Sequence, residues 1–84
     1  MGAKNEADQV QRFFRVELGQ LAYLRFVLEG YEGLVVLTSL PGRAEVRWTV
    51  PAALAAEADA LARALAAEIT LAPIPRPPDW PDGI

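Results

Sequence analysis

An α+β fold, two helices on one face of a four-stranded antiparallel sheet, is predicted by this sequence on three observations. Apolar residues recur at the helical interval in two separate stretches, residues 20–31 and 54–65. Between them, residues 43–50 alternate apolar and polar directly after a Pro41-Gly42 turn signal, which marks a hairpin. Two further strand-like stretches stand outside this block, one before the first helix and one after the second. The resulting order is β-α-β-β-α-β.

Residues 1–9 read as a loose, polar leader. From Val10 the period becomes that of a half-buried strand: Phe14, Val16 and Leu18 alternate with Phe13, Arg15 and Glu17. Gly19 turns the chain into a helix over residues 20–29. Its inner side is Leu21, Leu24, Leu28 and Tyr31, with Val27 on the flank. Arg25 and Glu29 lie on the wet side, spaced to pair. Phe26 also falls there, with Tyr23 at its edge. Gly30 and Gly33 predict a left-handed stop, because glycine has no Cβ penalty there.

The next strand, residues 34–40, is apolar on both faces for four residues. Proline then glycine at the turn's centre is the type II pattern. On the return strand Ala44, Val46, Trp48 and Val50 share one face; Arg43, Glu45, Arg47 and Thr49 share the other. Pro51 is expected to open the second helix, where its missing N–H costs nothing. Leu54, Ala58, Leu61 and Leu65 form its apolar stripe, with Asp59 and Arg63 spaced to pair off it. Ile69-Thr70-Leu71-Ala72 is the last strand. Residues 73–84 carry too many prolines for a helix or an inner strand and are expected to be extended. Trp80 is expected to fold back onto the domain, since a free indole is costly in water.

Right-handed crossovers give this order a ferredoxin-like sandwich with strands arranged 4-1-3-2. The domain then spans residues 10–72, with a proline-rich tail over 73–84. The apolar strand 34–40 becomes a sheet edge, which is a template for pairing with another chain. Leu34, Val35, Val36 and Leu37 are accordingly the expected interface of a homodimer.

Composition excludes more than it assigns. Eighty-four residues make one domain with a thin core. Cysteine and histidine are both absent, which removes disulfides, thiolate or imidazole metal sites and the commonest general bases and nucleophiles. The four aliphatic hydroxyls, Thr38, Ser39, Thr49 and Thr70, have no activating base in the pattern. No catalytic residue, metal or cofactor is therefore expected, and the chain reads as a non-enzyme. A net charge of −3 argues against nucleic acid and anionic membranes as partners. No apolar run is long enough to span a bilayer, and the N-terminus lacks a signal-peptide core, so the cytoplasm is expected.

The segment Phe26-Val27-Leu28-Glu29-Gly30-Tyr31-Glu32-Gly33-Leu34, followed by a hairpin, a helix and a strand, resembles a short bacterial family of uncharacterised domains over roughly residues 12–72. The Tyr31-Glu32-Gly33 core is the most distinctive part. That resemblance implies a compact module and no particular activity. The element order and the Leu18-Gly19 step also resemble the ACT-type regulatory domains, in which a glycine opening the first helix helps shape an effector site at a dimer interface. This resemblance implies a ligand site near Gly19, Gln20, Tyr31, Glu32 and Gly33.

The expected function is thus a small non-catalytic module that dimerises and binds a small effector. Two alternatives stand beside it. A protein partner could read the proline-rich tail or Phe26. RNA could bind the open sheet face through Phe13, Arg15 and Arg47, although the acidic balance and the missing aromatics of the return strand count against it.

Overall fold

A computed structural model describes residues 8–81 of the chain. Its strands are β1 (Gln9–Val16), β2 (Val36–Ser39), β3 (Glu45–Pro51) and β4 (Leu71–Ile74), and its α-helices are α1 (Leu21–Leu28) and α2 (Ala55–Ala66). The sheet order is β2-β3-β1-β4, with every pairing antiparallel. That is the expected 4-1-3-2 order read from the other edge, an α+β sandwich of ferredoxin-like topology. Residues 1–7 of the expected leader and 82–84 of the expected tail lie outside the described residues.

Directly opposed residues of antiparallel strands point to the same face. Phe14 opposes Val46, Arg12 opposes Trp48, Val10 opposes Val50 and Val16 opposes Leu71. The apolar members of this face form one buried cluster with Leu24 and Leu28 of α1 and with Ala58, Ala62 and Leu65 of α2. Both helices therefore cover the same side of the sheet. The Phe14 and Trp48 rings lie 4.8 Å apart at its centre. Small residues at 58 and 62 let α2 approach closely, so the buried stripe runs through Ala58, Ala62 and Leu65. Leu54 and Leu61 are left half-buried at its margin.

Several local expectations change. Neither Gly30 nor Gly33 takes a positive φ; among the described residues only Gly42 does, at 73°. α1 instead tightens into a 3₁₀ turn, Glu29–Tyr31, and the Tyr31 carbonyl accepts the N–H groups of Leu34 (2.9 Å) and Val35 (3.0 Å). Tightening from 3.6 to 3 residues per turn rotates Tyr31 off the inner stripe, and its ring is exposed. Arg25 donates to the Ser39 hydroxyl of β2 rather than meeting Glu29. Asp59 meets Arg12, at 3.1 Å, rather than Arg63. Pro51 ends β3 opposite Gln9, and a 3₁₀ turn (Ala52–Leu54) precedes α2. At the hairpin, Arg43 N–H donates to the Leu40 carbonyl at 3.1 Å around Gly42, as a type II turn requires.

β4 runs two residues later than expected and includes Pro73. The ladder explains how. Val16 N–H donates to the Ala44 carbonyl on the β3 side at 2.7 Å. Backbone groups alternate sides along a strand, so even-numbered residues of β1 bond towards β3 and odd-numbered ones towards β4. Phe13 and Arg15 therefore bond Ile74 and Ala72, while Pro73, opposite Phe14, turns its missing donor outward. An edge strand tolerates proline in that position.

The other sheet face carries Phe13, Arg15, Glu45, Arg47 and Thr49. After Ile74 the chain leaves β4 and returns over this face. A turn closed by Trp80 N–H to the Pro77 carbonyl, at 3.1 Å, seats the indole edge-on against Phe13, centroids 5.2 Å apart. Trp80 is only 3% exposed and Phe13 7%. Arg43 bridges β3 to this segment, pairing with Glu45 and, at 3.2 Å, with Asp79. The Arg76 guanidinium donates to the Trp80 carbonyl at 3.4 Å and lies 5.8 Å from the Phe13 ring centre. Burial, and then the charge of Arg76, hold Arg47 below the usual arginine range. The return of Trp80 is as expected from its cost in water. No helix among the described residues is long and apolar enough to cross a membrane.

Candidate functional site

The ladder arithmetic also locates an unfinished edge. β1 pairs with β3 from Gln9 to Arg15, but with β4 only from Phe13 to Val16. On the β4 side, the first half of β1 has no neighbouring strand among the described residues. There α2, β1 and the end of β4 enclose a groove of about 630 Å³. Phe14, Ala62, Leu71 and Ile74 supply apolar walls, and Arg12, Arg63 and Arg76 supply charge.

Each arginine reaches the groove for a local reason. Arg12 shares the parity of Phe14, so it points to the helix side of β1, where Asp59 of α2 receives it at 3.1 Å. Arg63 follows Asp59 by one helical turn. Arg76 stands where the chain turns off β4. Among the described residues Arg12 and Arg63 stand against Asp59 in the groove, while the Arg76 guanidinium is engaged by the Trp80 carbonyl and the Phe13 ring, in a chain whose net charge is −3. The chemistry that fits is an anion with an apolar body. No side chain in the groove is placed as a nucleophile beside a base.

The residues expected to line an effector site are divided by α1. Gly19 and Gln20 precede the helix; Tyr31, Glu32 and Gly33 follow it, about 12 Å further along at 1.5 Å per residue. Gln20 is a structural tie, its Oε1 accepting Thr70 N–H at 2.8 Å just before β4. Gly19, Gly30 and Gly33 all have open space where a Cβ would sit. Glu32 lines a shallow depression of about 220 Å³ with Arg25, Leu28, Glu29, Val35 and Leu37. Of the expected interface residues, Val35 is 5% exposed and belongs to the core, while Leu34 and Leu37 are half-buried against it. Val36, opposite Thr49 on the far sheet face, is 60% exposed.

Sequence reasoning did not single out the groove. One signal was present: Arg12 sits at the interval of Phe14 and Val16, a charge on the apolar face of its strand. Asp59 and Arg63 read instead as a pair with each other, which their helical spacing allows.

No curated protein matches the chain, and no solved structure does. A family model does match, over residues 14–69, which takes in everything from the last three residues of β1 to the loop before β4. The chain therefore belongs to the family described as "Domain of unknown function (DUF4911)".

Proposed function

We propose that this chain is a non-catalytic binding module whose ligand is an anion with an apolar body, held in the groove between α2, β1 and β4. The observation that carries the reading is the collection of Arg12, Arg63 and Arg76 around apolar walls in an acidic protein. A pocket that is mostly apolar with a few convergent charged groups is the usual form of a small-ligand site. Arg63 lies within the family match over residues 14–69, and Arg12 and Arg76 lie outside it.

A thermal-shift series tests it with three probes: octanoate, glutamate and octylammonium. Octanoate should raise the melting temperature, since a ligand at about 100 times its Kd adds roughly 2.7 kcal/mol. Glutamate lacks the apolar body and octylammonium reverses the charge, so both should shift it less. Arg63→Glu should remove the octanoate effect. Equal shifts from octanoate and octylammonium, or an unchanged response in R63E, would refute the reading.

Self-association through β2 is a second reading, supported by the exposure of Val36 on a four-residue edge strand. Presentation of the proline-rich segment to a partner has less support, because Trp80 and Asp79 are already engaged by Phe13 and Arg43. RNA stacking has less too, because Phe13 lies beneath Trp80.

A further inference from the structure

We infer that the groove takes its anion in the form of an extended acidic peptide, which adds to β1 as a strand in line with β4. The inference rests on the groove being a ligand site and goes further by naming the ligand's backbone. Alternation along β1 directs the N–H and C=O groups of Gln9 and Gln11 towards the β4 side, as it does those of Phe13 and Arg15. Phe13 and Arg15 find Ile74 and Ala72. Gln9 and Gln11 have no strand opposite them among the described residues, because β4 ends at Ile74 and the chain crosses to cover Phe13.

The vacant row is continuous with an existing ladder, so a peptide entering it meets backbone groups already held in extended geometry. Main-chain bonds of this kind supply affinity, and alternate side-chain pockets supply specificity. Charge chooses the occupant. A residue opposite Arg12 would share the helix-side face with Arg12 and stand beside Asp59 and Arg63. With two arginines against one aspartate on that side among the described residues, a glutamate or aspartate is favoured there. Four residues of free edge correspond to about 13 Å of strand, which suits a segment of four or five residues.

The test is a titration of the full chain with the acetylated, amidated pentapeptide threonine-glutamate-valine-glutamate-threonine. Backbone amide exchange is read by NMR. Binding should slow exchange at Gln9 and Gln11 by about tenfold or more, as expected when an open amide gains a partner. N-methylation of the central valine, or replacement of both glutamates by lysine, should weaken binding by about tenfold or more, roughly 1.4 kcal/mol. Failure to bind, binding without protection at either glutamine, or equal binding of the N-methylated peptide would each overturn strand addition. If octanoate still stabilises the protein through Arg63 in that event, the groove remains a small-anion site. If octanoate fails as well, both readings fall.

Discussion

The two faces of the sheet are covered by different means. On one, two helices lay periodic apolar stripes over Phe14, Val16, Val46, Trp48 and Val50. On the other, a single indole from a proline-rich segment lies on a single phenylalanine, tied down by Arg43 and Arg76. The first cover is built from many residues at fixed intervals, each reinforcing the others. The second rests on one aromatic contact between residues far apart in the chain, with a few polar ties beside it. The first should therefore unfold only with the whole domain. The second should open at lower cost while the rest holds, since local opening follows the density of buried apolar contacts.

The strongest way to break the comparison is at its two tryptophans. Trp48→Ala removes the largest fully buried side chain and should cost about 3–5 kcal/mol. Against a total of about 5–15 kcal/mol for a domain, that is enough to unfold much of the population. Urea denaturation followed by circular dichroism measures it. Trp80→Ala should cost less, about 2–3 kcal/mol, because a terminal segment can relax around the loss in a way a packed core cannot. Its distinctive sign is in amide exchange: protection between β2 and β3 should persist while that between β1 and β4 falls. If W80A melts all four strands together, the two covers form one cooperative unit.

The mildest effect concerns a tie on the helix side. The Tyr23 hydroxyl of α1 donates to Glu68 at 2.6 Å, just beyond α2. That hydrogen bond, then the carboxylate's charge, then burial raise its pKa above 10.0. The folded state thus holds this proton more firmly than the unfolded chain. The contribution is whole below pH 10.0 and is lost as pH rises through the folded value. Tyr23→Phe should leave a shallower decline of stability on the alkaline side than the parent chain shows. Parallel declines would mean that the tie does not couple α1 to the end of α2.

Much of the architecture was readable because it rests on short-range periodicity. The alternation of residues 43–50 placed Val46, Trp48 and Val50 inward, and all three are fully buried. The stripe of the first helix placed Leu24 and Leu28 correctly and erred at Tyr31, where a change of helical pitch ended it. Pairings were less readable, because spacing permits an ion pair without selecting it. Asp59 could reach Arg63 on its own helix, yet the fold brings Arg12 beside it. The same limit hid the groove, whose walls come from β1, α2 and β4 and share no motif.

What the chain determined by itself is its element order, the inward faces of its strands and the stop at Pro41-Gly42. Each follows from the stereochemistry of neighbouring residues. Only the tertiary structure decided that β4 would end four positions short of covering β1, leaving Gln9 and Gln11 opposite no strand among the described residues. That outcome depends on the chain beyond Ile74 gaining more by burying Trp80 against Phe13 than by extending the ladder, a balance between distant surfaces that local spacing does not encode.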